Sequence, residues 1–233
     1  MRHRQVEPEW LDALPARDPR ALRSRRDLDR LNALMFQAPI LARALRREGI
    51  VPPRTMLDLG GGDGMFALRL ARRLAPSWPG VRLILVDRKD TVAGRTRAAF
   101  AALGWTLETV VADILSFLEQ RAYALDLAVA NLVLHHFVPE ELERLLRYVA
   151  RATRAFAACE PRRGVLALQA SRLVGLVGCA AVTRNDAVTS VRAGFAGREL
   201  TAAWPQTGWR VSEYASGPFT HCFVASRNSG RAR

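Results

Sequence analysis

The sequence predicts an α/β fold, with a doubly wound, mostly parallel sheet, a C-terminal antiparallel hairpin and an N-terminal helical lid. Short apolar runs alternate with segments of helical period, which is typical of βαβ units. These runs are apolar throughout, so helices should cover both faces of the sheet. A chain of 233 residues suffices for one buried core with a small cap.

The predicted elements follow one another at regular spacing. Two strand-like runs near the C-terminus, 209–214 and 220–226, are joined by a link around Gly217 that is short enough for a hairpin. The other predicted strands are 55–59, 82–87, 107–111, 126–133 and 154–159, and the predicted helices are 64–75, 91–103, 114–122 and 139–151.

The chain divides into three predicted parts. Residues 1–50 have leucines at helical spacing and should form two helices that lie over the site as a lid. Residues 51–226 form the main domain, and the basic tail 227–233 is expected to be disordered. An insert at 165–204 should cap a substrate. Its apolar helical stripe fits either ordinary packing or a wall for a lipophilic substrate, and consists of Leu166, Leu173, Val174 and Val177.

A glycine-rich turn follows the first strand. It runs from Asp58 to Gly64 as DLGGGDG, and glycines there let the backbone turn sharply and approach a ligand closely. Residues 62–67 also fit the dinucleotide fingerprint, but carboxylates on both sides of the turn would repel a pyrophosphate. A P-loop is excluded, because no Lys-Ser/Thr pair follows the glycines.

The acid and glycine spacing of this turn resembles motif I of the class I S-adenosylmethionine-dependent methyltransferases, a Rossmann-like family. The resemblance covers residues 55–160 by motifs and 205–226 by pattern only. It implies S-adenosylmethionine as the cofactor, whose sulfonium and ammonium suit two carboxylates. A strand-turn-helix in which the glycines serve backbone geometry alone is the alternative.

Polar residues also end the next three strands. Asp87 lies 23 residues after Gly64, where a carboxylate can accept hydrogen bonds from both ribose hydroxyls. The resemblance implies that Asp113 takes the adenine amino group, although an Asp there can equally cap a helix. Asn131 ends the fourth strand. The complete predicted cofactor set is Asp58, Gly60, Gly62, Asp63, Asp87, Arg88, Asp113, Ile114 and Asn131.

Two adjacent histidines, His135 and His136, follow the fourth strand, where open α/β sheets place their sites. The segment 134–137, LHHF, resembles small-molecule methyltransferases of the ubiquinone-biosynthesis type, in which this pair often only shapes the turn. Either histidine is a candidate general base, and His136 is favoured because it lies further along the turn. The N/D-P-P-Y/F motif of amino-group DNA methyltransferases is absent, since Leu132 follows Asn131.

The composition of the chain argues against nucleic acid, a metal ion and a membrane span. The net charge of +13 comes almost entirely from arginines interleaved with acids, whereas a nucleic-acid surface needs a contiguous basic stripe. Three scattered cysteines and two adjacent histidines provide neither a disulfide framework nor a metal-ligand spacing, so no metal is predicted. The chain shows no signal-peptide pattern and no membrane span, and a cytoplasmic location is expected.

The expected function is in-line methyl transfer to a small, lipophilic, hydroxylated aromatic or quinone-like acceptor. Two alternatives stay open at this point. One is an RNA methyltransferase, and the other is a non-catalytic cofactor-binding protein on the same fold. The sequence leaves the acceptor, the methylated atom and the oligomeric state open.

Overall fold

A seven-stranded sheet forms the centre of the computed structural model, which describes residues 3–15, 17–120 and 125–228. The spatial strand order is β3-β2-β1-β4-β5-β7-β6. Strands β1 to β5 are parallel, and β7 is antiparallel to both of its neighbours, which confirms the predicted sheet. The strands are β1 (Thr55–Leu59), β2 (Arg82–Asp87), β3 (Thr106–Val111), β4 (Leu125–Asn131), β5 (Thr153–Pro161), β6 (Trp209–Ser216) and β7 (Thr220–Arg227).

The four helices predicted between the first five strands lie close to their predicted positions. Short 3₁₀ turns cover Leu134–His136 and Val174–Val177. The predicted end of one helix at residue 122 lies outside the described residues, as do residues 229–233 of the predicted tail. The helices are α1 (Trp10–Ala13), α2 (Pro19–Leu34), α3 (Gln37–Arg47), α4 (Met65–Leu74), α5 (Gly94–Ala102), α6 (Ile114–Gln120), α7 (Pro139–Ala152), α8 (Val165–Leu173), α9 (Ala181–Ala193) and α10 (Glu199–Ala203).

Both faces of the sheet are covered, as the uniformly apolar strands predict. Helices α6, α7 and α10 pack on one face, where the ring of Trp204 stacks on Phe156 with centroids 5.4 Å apart. Helices α3, α4 and α5 pack on the other face. Among the described residues, no helix has both the length and the apolar character that crossing a bilayer requires.

The prediction that residues 1–50 form one lid over the site needs correcting at α3. This helix buries Leu41, Ala42 and Leu45 and packs against α4, β5 and β7, so it belongs to the core. The polypeptide before it does lie over the carboxyl ends of the strands. The cavity described below is lined by Arg25, Leu28 and Leu31 of α2 and by Met35 directly after it.

Strand β4 ends at Asn131, two residues before its predicted end. The next residue, Leu132, has φ of 55°, in the left-handed region that branched side chains rarely adopt. The chain therefore leaves the sheet abruptly, although Leu132 and Val133 are apolar enough to look like strand residues.

Candidate active site

A cavity of about 1030 Å³ lies over the carboxyl ends of the central strands. It is bounded by the glycine-rich turn, the turn after β4, the N-terminal segment and the inner faces of α8 and α9. One drug-sized ligand usually occupies a pocket of about 300–1,000 Å³. The cavity therefore has room for a cofactor together with a small acceptor.

The glycine-rich turn lies so close to neighbouring strands that side chains cannot be added to part of it. A Cβ on Gly60, which has φ of +66°, would come within 2.6 Å of Val133 Cγ2. A Cβ on Gly61 would come within 2.5 Å of Leu85 Cγ and 2.6 Å of Asp58 Oδ2. Glycine is therefore required at both positions for this backbone path.

Asp58 is a buried carboxyl at the end of β1, with only 1% of its surface exposed. Its Oδ2 has no hydrogen-bond partner among the described residues. Burial, together with the nearby charge of Asp87, raises the pKa of Asp58 to about 8. A buried carboxyl without a partner is costly, so a cationic group of a bound ligand would complete this site.

Asp87 contacts the glycine-rich turn. The Gly62 N–H donates to its Oδ2 at 3.0 Å, and the Lys89 N–H donates to its Oδ1 at 3.0 Å. Because an ionised carboxylate has about four acceptor sites, these two bonds leave capacity for ribose hydroxyls. The neighbouring Arg88 is exposed, and its Nη2 lies 3.5 Å from Asp12 Oδ2 in the N-terminal segment.

The other predicted cofactor residues also line the cavity. Asp113 Oδ1 accepts a hydrogen bond from the Ser116 N–H at 3.1 Å, so this residue does cap α6. Ile114 is buried. Asn131 Oδ1 is buried without a partner among the described residues, as Asp58 Oδ2 is. Asp63 Oδ1 accepts from the Met65 N–H at 3.0 Å and helps to start α4.

Glu160, at the end of β5, holds the turn after β4. It is fully buried, and its Oε1 accepts from the Val133 and Leu134 N–H groups at 3.0 and 2.9 Å. Its Oε2 lies 2.7 Å from His135 Nδ1 and 3.3 Å from the backbone N of the same residue. Glu160 was not among the residues predicted from the sequence. The available signal was a carboxylate directly after the apolar run that was predicted as the strand 154–159.

His135 lies between two carboxylates. Its Nδ1 faces Glu160, and its Nε2 lies 3.5 Å from Glu9 Oε1, an ion-pair distance without good hydrogen-bond geometry. Burial acts to lower the pKa of His135, but Glu160 and Glu9 outweigh it and raise that pKa to about 9. An imidazolium at neutral pH cannot accept a proton, so the geometry argues against His135 as the base.

His136 is only partly buried and lines the cavity. Its ring centroid is 4.3 Å from that of His135, and its Nδ1 lies 3.8 Å from Asp12 Oδ2. Burial and the adjacent His135 charge lower the pKa of His136, although Glu9 and Asp12 act in the opposite direction. The two adjacent histidines therefore differ in charge at neutral pH.

Three potential metal ligands also meet here. Glu9, His135 and His136 are the one such group found among the described residues, with ligand atoms within 4.8 Å of one another. The sequence did not suggest this group because Glu9 is distant in the chain. Carboxylates near both nitrogens of His135 favour the imidazolium, which does not bind a metal, so we interpret the group as an ion-pair network.

The N-terminal segment connects the turn after β4 to α9. The Arg4 guanidinium donates to the carbonyls of Ala193 at 2.8 Å and of His135 and Phe137 at 3.1 Å. Glu9 accepts a hydrogen bond from the Ser190 hydroxyl in α9. The backbone N–H groups of α1 donate to Asp186 at 2.9 and 3.0 Å. These contacts close the cavity on the side of His135 and His136.

The predicted apolar wall from the insert is wrong for three of its four residues. Leu166, Leu173 and Val177 are 64%, 57% and 66% exposed, whereas Val174 lines the cavity. The inner face of α8 consists of the small residues Ala167, Ala170 and Ser171. Helical period identifies an apolar stripe but does not tell which way it faces.

Comparisons with known proteins agree with this architecture. Residues 56–155 match a family model described as a methyltransferase domain. A search of curated proteins gives no match. An O-methyltransferase family protein from Burkholderia thailandensis is similar, with 21% identity and a TM-score of 0.60 over 92% of this chain and 62% of that one. This chain therefore spans less than two thirds of that relative.

Two further structures share the fold. The plantazolicin methyltransferase BpumL in complex with SAH has 12% identity and a TM-score of 0.64, over 91% of this chain and 92% of that one. The mitomycin 7-O-methyltransferase MmcR has 19% identity and a TM-score of 0.61, over 94% of this chain and 60% of that one. At such identities the likeness is one of fold.

The strand order, the glycine-rich turn and the strand-end acids together define a class I methyltransferase fold. Residues 56–155, less than half of the chain, match a methyltransferase domain, and the fold is the one found in S-adenosylmethionine-dependent methyltransferases. The site fits this cofactor, because the buried and unpartnered Asp58 Oδ2 and Asn131 Oδ1 face a cavity beside a turn that only glycines can form. The closer resemblance to ubiquinone-type enzymes stays a prediction.

Asp58 should release a proton when the cofactor binds. With a pKa of about 8, Asp58 is mostly protonated at pH ~7, and a cationic ligand favours its ionised form. Binding enthalpies measured by calorimetry in buffers of different ionisation enthalpy should show this release. The Asp58→Asn variant should lack it and should bind about tenfold or more weakly. Any proton that the ligand itself releases is the same for the wild type and the variant, so it cancels in their difference. Equal proton release in both proteins would therefore contradict the assignment of the released proton to Asp58.

Glu160 should control a pH-dependent part of the stability. The pKa of His135 in the folded protein is raised to about 9. The contribution of the protonated His135 to the free energy of unfolding is therefore complete below pH ~6.5 and is lost as the pH rises through ~9. This shift in the pKa of His135 corresponds to a contribution on the order of 3 kcal/mol to the free energy of unfolding. Urea unfolding at pH ~6 and ~9.5 should show this loss in the wild type and much less of it in Glu160→Gln.

The exposed Glu140, in the first turn of α7, provides a matched control. Glu140→Gln should keep the pH dependence of the wild type. An unchanged pH dependence in Glu160→Gln would mean that His135 is not held as an imidazolium by this carboxylate.

Proposed function

We propose that this protein transfers the methyl group of S-adenosylmethionine to a hydroxyl oxygen of a small, lipophilic aromatic or quinone-like molecule. The observation that carries the proposal is one cavity that contains both the glycine-rich turn and His136. The same cavity is lined by apolar residues in α2 and directly after it, namely Leu28, Leu31 and Met35. An apolar acceptor placed there would lie between the cofactor turn and the histidine.

The residues of this chain have simple tasks in such a reaction. The bound cofactor supplies a methyl group on a sulfonium, which is a good leaving group. Asp58, Asp87 and Asn131 would bind and orient it, and orientation alone supplies up to about 7–11 kcal/mol in ideal cases. His136 would accept the hydroxyl proton at its Nε2 as the acceptor oxygen takes the methyl group that the bound cofactor would supply.

Asp12 would orient this base. Its Oδ2 lies 3.8 Å from His136 Nδ1, so a modest closure brings the two groups into hydrogen-bond distance and leaves Nε2 for the acceptor. Asp12 also lies 3.5 Å from Arg88, beside the predicted ribose ligand Asp87. The N-terminal segment would thus connect the base to the cofactor side of the cavity.

Two further observations support a small-molecule acceptor. Two proteins that share the fold are named for plantazolicin and for mitomycin 7-O-methylation. The cavity is also bounded by the N-terminal segment and by α8 and α9, which leaves limited space for a polymer. Nucleic acid is therefore not the partner we propose, and the proposed location is the cytoplasm.

A radiolabelled methyl transfer assay tests the acceptor class. We expect label in alkylated phenols or quinols, with little response to salt, because apolar burial depends weakly on ionic strength. Gly61→Ala should abolish labelling, since its Cβ would lie 2.5 Å from Leu85 Cγ. Label at a discrete site in total RNA, with none in the phenol panel and a steep loss in salt, would replace this proposal by RNA methylation.

The candidate base is tested by replacing His136. We expect His136→Ala and His136→Gln to lower kcat by about 10²–10⁴ without changing cofactor affinity. Because the pKa of His136 is lowered from 6.5, kcat/KM of the wild type should rise with pH along a limb below ~6.5 and then stay level. Replacement of the exposed His3 by Ala is the control and should have no effect.

Two outcomes would contradict the base assignment. Turnover close to that of the wild type in both variants would leave positioning alone as the source of catalysis. Activity that is lost with a chelator and restored by a divalent metal would instead assign Glu9, His135 and His136 to a metal site.

A further inference from the structure

The outer face of α8 and the turn after it exposes large aliphatic side chains that no described part of the chain covers. We call these five residues the α8 patch. Soluble proteins usually scatter such residues singly, whereas these lie within one short segment. The α8 patch consists of Val165, Leu166, Leu173, Leu176 and Val177, which are 72%, 64%, 57%, 83% and 66% exposed.

The α8 patch lies directly outside the acceptor side of the cavity. The opposite face of the same helix, with Ala167, Ala170 and Ser171, lines the cavity. A single helix with small inner side chains is therefore all that separates the patch from the cavity at this point.

The segment that carries the α8 patch has a positive net charge. Residues 165–193 contain three arginines and a single acid. Arg172 and Arg184 are exposed, and Arg184 passes beside Gly175 in the turn that carries Leu176. The acid, Asp186, is buried and accepts the N–H groups at the start of α1. Exposed aliphatic groups thus lie among exposed cations, without an exposed carboxylate in this segment.

We propose that the α8 patch docks on an anionic lipid surface. Its aliphatic side chains would enter the headgroup region, and Arg172 and Arg184 would meet lipid phosphates. This arrangement deepens the proposed function, because a lipophilic acceptor would pass from the bilayer around α8 into the cavity. The docking itself depends only on the patch, so it is measured without an acceptor.

A second copy of the chain fits the α8 patch less well. In a two-fold interface the same surface meets itself, so the arginines of both copies would come together. Residues 165–193 provide no exposed acid to neutralise them. An anionic lipid surface supplies the opposite charge over the whole patch.

Vesicle co-sedimentation of the full chain tests the proposal. We expect binding to vesicles of phosphatidylglycerol and phosphatidylcholine, weaker binding to phosphatidylcholine alone, and a loss of binding with salt. Leu173→Asp combined with Leu176→Asp should reduce binding at least about tenfold. Replacing Arg172 or Arg184 by Glu should reduce binding to the anionic vesicles by about fivefold or more.

Matched controls come from exposed apolar residues outside the patch. Leu22 and Phe36 are 46% and 63% exposed, and Leu22→Asp and Phe36→Asp should bind vesicles like the wild type. All of these residues are exposed, so thermal melts should confirm that every variant is folded.

Three results would overturn the proposal. These are no vesicle binding by the wild type, equal binding by the patch and control variants, or a concentration-dependent dimer that Leu176→Asp dissociates. Vesicle binding without methylation of any phenol or quinol would leave the docking standing and remove the proposed acceptor. Methylation of a phenol or quinol without vesicle binding would leave the proposed acceptor standing and remove the docking.

Discussion

A buried carboxylate needs hydrogen-bond donors, and Glu160 finds them all in one turn. Three backbone N–H groups and one imidazole nitrogen from residues 133–135 converge on its two oxygens. The turn begins with Leu132 in the left-handed region, at a cost of about 1–3 kcal/mol. Hydrogen bonds to a charged acceptor, worth about 1.5–3 kcal/mol each, offset this cost and fix the direction in which the chain leaves β4.

The Glu160 carboxylate also gives His135 and His136 different environments, although their side chains are chemically identical. His135 has acids near both ring nitrogens, whereas His136 extends toward the cavity and lies beside the charge of its neighbour. Opposite environments for paired titratable groups are the usual way in which a protein divides their tasks. On the cofactor side, Asp58 is buried without a partner for Oδ2, while backbone N–H groups hold Asp87.

The sequence was sufficient for the features that local pattern determines. The predicted ranges of β1 and β2 match the structure at both ends, because apolar runs stop at a carboxylate or a glycine. The predicted cofactor residues line the cavity, since parallel strands bring their carboxyl ends to one edge. Their ligand contacts stay predictions. The end of β4 was overestimated because Leu132 is apolar and its left-handed φ is imposed from β5.

Features that depend on distant residues were missed. Glu160, Glu9 and Arg4 act on the turn at 132–137 only after folding, and none of them belongs to a motif. The direction in which the apolar stripe of α8 faces also could not be predicted from the sequence. Its period shows that one face is apolar, but only packing shows that Leu166 and Leu173 face outward while alanines face the cavity.

The N-terminal segment also has a consequence for the order of folding. Arg4 bonds to a carbonyl 131 residues away, and Glu9 accepts from a hydroxyl 181 residues away. Contacts across such distances carry the entropy of closing a long loop, and they form after the local βα units are in place. During synthesis these residues leave the ribosome before α9 and must wait for it. The segment that carries Arg4 and Glu9 is thus among the last parts to reach its place, and the cavity closes beside the histidines after the glycine-rich turn has formed.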